Sequence, residues 1–198
     1  YLKVADGCSN RCTYCAIPSI RGNYRSVEME TLINEANQLA ASGVKELILI
    51  AQDTTNYGYD LYGKIKLPEL LDALCEIDGI EWIRMLYTYP DKITDELISA
   101  IKRNSKVLHY LDIPMQHKST KVLRDMNRRY TREHYYSLIE MLRSKMPDIG
   151  ITTDIMVGFP TETEEDFEDT MDMVRKVRYS NAFTFIYSPR KGTPAAKM

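Results

Sequence analysis

Residues 44–51 read VKELILIA, a nearly continuous apolar run. Runs of this kind are typical of strands that are buried on both faces of a parallel sheet. A predicted helix over 28–42, closed by Gly43, precedes the run, and a second helix starts near Pro68, a good first-turn residue. The stretch therefore predicts a strand between two helices, the unit from which parallel α/β folds are built.

The same alternation continues on both sides of this unit, and it predicts parallel strands joined by right-handed crossovers. A closed eight-fold barrel typically needs about 250 residues. This chain has 198, so we expect an open, partial (β/α)6 barrel that forms one domain over 1–198. The predicted strands are 1–5, 44–51, 82–87, 107–113, 149–157 and 181–187. The predicted helices are 28–42, 68–78, 94–104, 119–126, 131–145 and a last one that runs from a Thr161/Glu164 capping box to 177.

Three cysteines crowd into one short loop, Gly7-Cys8-Ser9-Asn10-Arg11-Cys12-Thr13-Tyr14-Cys15, with the spacing C-x3-C-x2-C. A structural zinc site usually has four ligands, in pairs of the C-x2-C type. Three thiolates on a four-iron cluster instead leave one iron free for a substrate. We therefore expect an iron–sulfur cluster on this loop. The alternatives are three unligated thiols, or zinc completed by one histidine from His109, His117 and His134.

Composition limits the class of protein. The net charge of −2 argues against a uniformly basic nucleic-acid binder, although it leaves room for a local basic patch. No apolar run approaches the roughly 20 residues of a membrane span, so we expect no membrane partner. Three of the four cysteines are clustered and no secretory leader precedes them, which favours a reducing, cytoplasmic compartment. The chain begins with Tyr1 rather than Met, which suggests a fragment of a longer protein.

The cysteine loop, with Tyr14 just before its last cysteine, resembles the signature of the radical S-adenosylmethionine (SAM) superfamily. The resemblance covers essentially the whole chain. It implies a [4Fe–4S] cluster on Cys8, Cys12 and Cys15, with the amino and carboxylate groups of SAM on the fourth iron. One electron from the cluster then cleaves the sulfonium bond and gives methionine and a 5′-deoxyadenosyl radical. No catalytic side chain beyond the cluster ligands is implied for this step.

Residues 16–22 and 25–26 resemble the methylthiotransferase branch of that superfamily, in which two groups compete. RimO-like members methylthiolate an aspartate of a small-subunit ribosomal protein, and MiaB-like members methylthiolate isopentenyl-adenosine in tRNA. The segments similar to the RimO-like group are 15–22, 51–55, 61–63 and 110–117. Those closer to the MiaB-like group are 124–135, 152–160 and 183–188. We favour the ribosomal protein as the partner, because the RimO-like segments line the second to fourth strands.

Full-length members of both groups carry an N-terminal domain with a second [4Fe–4S] cluster and a small C-terminal substrate-binding domain, neither of which lies in this sequence. The resemblance therefore implies a radical SAM core that binds and cleaves SAM but does not complete methylthiolation. It also implies a low-potential electron donor as a partner. A non-catalytic module that binds RNA or a ribosomal protein and keeps a structural cluster is the alternative from another class.

Ligands of parallel α/β folds gather at the carboxyl ends of the strands. In the family, the segment after the second strand meets the amino group of SAM, and a glycine-containing segment after a later strand lies on the adenine side. Gln116 is suited to a ribose hydroxyl, and Asp154 needs a partner if it is buried. The candidate SAM-binding residues are Tyr14, Gln52, Asp53, Gln116, Thr153, Asp154 and Gly158.

Other polar residues near strand ends have two interpretations each. His117 is either a proton donor or a satisfied structural histidine, and we favour the second. Tyr87 and Tyr89 are expected on one side of a strand, as packing or as a substrate wall. Arg84 is a possible partner for Asp154. The basic stretch 118–132 is either a solvated helix face or a surface that attracts RNA or an acidic protein.

Overall fold

Strands and helices alternate along the chain, and the computed structural model describes all 198 residues. The strands are Leu2–Lys3 (β1), Ala5–Asp6 (β2), Arg25–Ser26 (β3), Glu46–Ile50 (β4), Trp82–Met85 (β5), Tyr110–Asp112 (β6), Gly150–Val157 (β7) and Asn181–Ile186 (β8). The helices are Ile17–Arg21 (α1), Met29–Ala41 (α2), Tyr59–Tyr62 (α3), Leu67–Cys75 (α4), Asp95–Arg103 (α5), Thr120–Asp125 (α6), Arg132–Lys145 (α7) and Glu164–Val177 (α8).

Six of the strands form one parallel row. β1, β4 and β5 make one ladder and β6, β7 and β8 make another, with parallel pairing throughout. A parallel bridge between Ile83 and Val107 joins the two ladders, and the Thr88 amide donates to the Asp112 carbonyl at 2.9 Å. The row β1-β4-β5-β6-β7-β8 does not close on itself, and the prediction of an open, partial (β/α) barrel is confirmed.

β4 shows how the sequence builds this row. Leu47 and Leu49 are fully buried in the main core, whereas Ile48 and Ile50, which point to the opposite face, are half-buried. Residues of α4 such as Leu71 join Leu47 and Leu49 in that core of 40 buried residues. The helices therefore cover the outer face of the strands, and the inner face is left for polar groups and a ligand. No helix has the combined length and apolar character that crossing a bilayer requires.

Helix starts follow the predicted caps, with one correction. Thr94 and Thr131 accept hydrogen bonds from the amides of Leu97 and His134, both at 3.3 Å. The last capping box is formed by Thr163 and Asp166 rather than by the predicted Thr161 and Glu164. Both threonine–acid pairs have the required spacing. With Thr163 as the cap, three acidic residues lie in the first turn of α8, where the helix dipole favours negative charge.

The first predicted strand, 1–5, is split in two. After β1 joins the parallel row, β2 leaves it and pairs antiparallel with β3, so that Asp6 lies opposite Arg25. The short helices α1 and α3 were also not predicted, because segments of four or five residues carry too few apolar positions to show a period. The β2–β3 pair closes the base of the cysteine loop.

The burial of β4 predicts a large difference between two leucine substitutions. Leu49→Ala removes a fully buried side chain and should lower the free energy of unfolding by about 2–5 kcal/mol, through lost apolar transfer and the cavity left behind. Leu61 is 44% exposed, and Leu61→Ala should change it by about 0.5 kcal/mol or less. Urea unfolding followed by circular dichroism measures both, and equal losses would contradict this core.

Candidate functional site

A pocket lies at the carboxyl ends of the parallel strands, with about 700 Å³ of space between its walls, part of it open to solvent. The cysteine loop forms one wall, and the segments that follow β4, β5 and β6, together with Arg128 and with Asp154 of β7, form the others. Its lining residues are Cys8, Asn10, Cys12, Tyr14, Cys15, Ile17, Gln52, Tyr87, Thr88, Tyr89, Pro114, Gln116, Arg128 and Asp154.

Backbone hydrogen bonds hold the cysteine loop in place. The Cys8 amide donates to the Gly22 carbonyl at 3.1 Å. Thr13 is tied to the end of α6, because its amide donates to Met126 at 3.0 Å and its hydroxyl donates to the Asp125 carbonyl at 2.7 Å. At Gly7, which has φ +71°, a Cβ would lie 2.2 Å from the Asn23 carbonyl oxygen, so only glycine fits where the loop turns.

The three thiols of the loop share this one pocket. Cys8 and Cys12 are buried and Cys15 is half-buried, and all are free. Burial raises the pKa of the Cys8 and Cys15 thiols, because it disfavours the charged thiolate. Three free thiols on one loop that line one pocket fit a cluster, in which each thiolate binds its own iron atom.

The histidine-completed zinc site is not formed, because none of the three histidines lines the pocket. His109 contacts Asp148 at 2.8 Å. His117 is fully buried, accepts from the Ser119 amide through Nδ1 at 3.0 Å and lies 3.1 Å from Glu162 through Nε2. Its contacts are those of a structural histidine that joins the segments after β6 and β7.

Two acidic residues lie on adjacent strands at the pocket. Asp112 accepts from the Thr152 hydroxyl and from the Tyr87 amide, both at 3.0 Å. Asp154 lines the pocket, and burial together with the negative charge of Asp112 raises the pKa of Asp154 to about 6. Asp154 is not paired with Arg84, contrary to the prediction, because the Arg84 guanidinium is taken by Glu46 at 2.7 Å.

Two left-handed residues shape the walls. Gln116 has φ 63°, and its amide donates to the Asp154 carbonyl at 2.7 Å, which fixes the segment after β6 against β7. Tyr87 lies beyond the end of β5 at Met85 and has φ 57°, so Tyr87 and Tyr89 do not alternate as residues of one strand do. Both rings line the pocket nevertheless, Tyr89 buried and Tyr87 46% exposed.

Four of the predicted SAM-binding residues line the pocket: Tyr14, Gln52, Gln116 and Asp154. The other three do not line it. Asp53 is buried and accepts from Asn10 at 2.9 Å and from Lys92 at 2.6 Å, so it ties the cysteine loop to β4. Thr153 donates to the Ile113 carbonyl at 2.9 Å, between β7 and β6. Gly158, with φ +71°, follows the end of β7.

Arg128 is a pocket residue that the strand-end argument missed. Its guanidinium lies 4.3 Å from the centroid of the Tyr89 ring, and its Nη1 is 3.8 Å from the Cys12 sulfur. The stretch 118–132 is therefore not one solvated face. Lys118 is also buried, with Asp169 at 3.1 Å, whereas the Lys121 side chain is exposed. The basic residues recur every three or four positions, as on one helix face, but α6 ends at Asp125, and no sequence pattern shows that some of them point inward.

An open parallel barrel with a three-thiol pocket at its carboxyl edge defines the class of protein, and comparison with known families agrees. The model of the radical SAM superfamily matches residues 2–174. Because that match spans most of the chain, the chain belongs to the radical SAM superfamily. Among solved structures, the radical SAM methyltransferase TsrM from Kitasatospora setae superposes with a TM-score of 0.78 at 16% identity, covering 98% of this chain and 38% of that one.

Curated relatives are much closer in sequence. Ribosomal protein uS12 methylthiotransferase RimO of Lachnoclostridium phytofermentans is 57% identical over 198 residues, which is 100% of this chain and 45% of the relative. RimO of Acetivibrio thermocellus is 55% identical over 195 residues, 98% of this chain and 43% of the relative. The matches include the later segments that resemble the MiaB-like group. The chain spans less than half the length of these relatives.

The raised pKa of Asp154 predicts a pH-dependent stability difference. Since that pKa rises from 3.8 to about 6 on folding, protonated Asp154 favours the folded state below pH 4, and this contribution is lost as the pH rises through 6. Relative to an Asp154→Asn variant, the wild-type chain should therefore become less stable between pH 4 and pH 7. Urea unfolding of both proteins at several pH values measures the difference, and a difference that does not vary with pH would contradict the assignment.

Proposed function

We propose that this chain is the SAM-cleaving core of a methylthiotransferase, and that the whole protein modifies an aspartate of the small-subunit ribosomal protein uS12. The observation that carries the proposal is the pocket that Cys8, Cys12 and Cys15 share with polar groups from β7 and from the segments after β4, β5 and β6. The relatives at 57% and 55% identity, both named as RimO, support the choice of reaction.

The three thiols would hold the [4Fe–4S] cluster, and the free, buried state of the cysteines fits that role. When bound, the cluster supplies the electron that cleaves SAM to methionine and a 5′-deoxyadenosyl radical. The carboxylate of Asp154 and the amide groups of Gln52 and Gln116 supply hydrogen-bonding groups for SAM. Tyr14 completes the wall beside the cysteines.

The remaining residues position these groups and exclude water. Asp53, bonded to Asn10 and Lys92, holds the cysteine loop against the end of β4. Thr153 fixes β7 to the segment after β6, and Gly158 lets the chain turn away after β7. A fixed, partly dry pocket matters here because a radical reaction needs a defined geometry and protection from side reactions.

The whole protein would need more than this chain contains. We propose that a second [4Fe–4S] cluster and a substrate-binding domain lie in the rest of the protein, which the relatives' greater length accommodates. A cytoplasmic, low-potential electron donor would reduce the cluster of this core. The alternative substrate is tRNA, and the alternative to an enzyme is a non-catalytic binding module.

The cluster assignment predicts the behaviour of cysteine variants after anaerobic reconstitution with iron and sulfide. Wild-type protein should give a four-iron electron paramagnetic resonance signal on reduction, which shifts when SAM is added, and should release 5′-deoxyadenosine. Cys8→Ala, Cys12→Ala and Cys15→Ala should each lose the signal. Cys75→Ala is the matched control and should behave as wild type, because Cys75 lies on α4, away from the pocket.

A signal that does not respond to SAM, or a variant lacking Cys75 that loses the cluster, would refute this core and favour a structural cluster.

The substrate assignment predicts a choice between two acceptors. The full-length protein, reconstituted and reduced, should methylthiolate uS12 and leave tRNA unmodified, as read by mass spectrometry of both. This chain alone should cleave SAM without forming either product. Modification of tRNA but not of uS12 would show that the protein has the MiaB-like activity. Methylthiolated product from this chain alone would contradict the proposal that further domains are needed.

A further inference from the structure

Arg128 carries a positive charge into the pocket without a carboxylate partner. Its side chain is mostly buried, and its three hydrogen bonds go to the Tyr130 hydroxyl at 3.0 Å, the Pro114 carbonyl at 2.8 Å and the Cys12 sulfur at 3.8 Å. None of these acceptors is a carboxylate, and Asp154, which lines the same pocket, attracts Arg128 at longer range without forming an ion pair. A buried cation is costly unless something anionic compensates it, so its position indicates an anion that this pocket is built to hold.

Two tyrosines fix the direction of the guanidinium. Its central carbon lies 4.3 Å from the Tyr89 ring centroid and 5.2 Å from that of Tyr130. The rings pack edge-to-face at 5.9 Å, and the Tyr130 hydroxyl donates to the Met115 carbonyl at 2.7 Å. Stacked guanidinium groups lose little freedom when they donate hydrogen bonds. Nη1 is thereby held beside Cys12 rather than swinging into solvent.

We propose that Arg128 sets the reduction potential of the cluster that the three cysteines would hold, which rests on the proposed function above. A four-iron cluster with three thiolate ligands is anionic, and it becomes more so when it gains an electron. A fixed positive charge and an N–H···S hydrogen bond both favour the form with more negative charge. Arg128 should therefore make reduction easier, that is, raise the potential.

Reduction transfers one electron from a one-electron donor, which is oxidised, to the cluster, which is reduced. Arg128 neither gains nor loses a proton in this step. An arginine stays protonated at every accessible pH, so the contribution of Arg128 to the potential should not vary with pH. A group that gained a proton on reduction would instead make a contribution that changes with pH.

Two adjacent arginines provide a matched test. Arg128→Gln removes the charge and keeps a polar side chain, whereas Arg129→Gln removes an exposed charge one residue away. Each reconstituted protein is titrated anaerobically with dithionite, without SAM, while the electron paramagnetic resonance signal is recorded at set potentials. We expect the midpoint potential of Arg128→Gln to be more negative than that of wild type by the same amount at pH 7 and pH 8, and Arg129→Gln to match wild type.

The conservative variant Arg128→Lys separates tuning from folding. It keeps the charge but lacks the planar group that stacks on Tyr89, so a smaller shift in the same direction is expected. If Arg128→Gln does not take up a cluster, Arg128→Met, which also removes the charge, is measured in its place, and a wild-type potential in it overturns the proposal. A wild-type potential in loaded Arg128→Gln also overturns it. Absence of any SAM-responsive cluster in wild type would instead refute the proposed function.

Discussion

Parallel pairing of the six strands is the constraint on which the site depends. Because β1, β4, β5, β6, β7 and β8 run in one direction, their carboxyl ends meet at one edge, and the segments after them become neighbours. Gln52, Gln116 and Asp154 are far apart in sequence but line one pocket for this reason. Reversing one strand would remove its contribution to the site without changing any functional residue.

The fold was predictable where the sequence carries a long, regular signal. The apolar run over 44–51 contains β4, and Thr94 and Thr131 cap helices as expected. The signal failed where it was short or ambiguous. Two overlapping threonine–acid pairs compete for the start of α8, and β2 gives no pattern in two residues, since its pairing with β3 is decided by tertiary contacts.

The site was predictable to the extent that its chemistry is local in sequence. The spacing of the three cysteines predicts a shared site. Arg128, in contrast, lies 116 residues from Cys12 in the sequence, and only the fold brings the two together. Asp53 follows a strand, where a ligand contact is expected, and its role as a SAM contact stays a prediction. Its carboxylate accepts hydrogen bonds from Lys92 and Asn10, and no sequence pattern predicts those two partners. The ends of the predicted strands indicate where the pocket lies, and side-chain packing decides which residues line it.

The tethers of the cysteine loop also set an order of events during synthesis. Cys8, Cys12 and Cys15 are made near the beginning of this chain, but the Asp125 carbonyl that Thr13 bonds to follows 112 residues later, and Ala195, whose amide donates to Thr13, comes later still. Until those segments have been made, the loop lacks both of these tethers. The cysteines therefore reach their final positions in the pocket only when nearly the whole chain is available to fold.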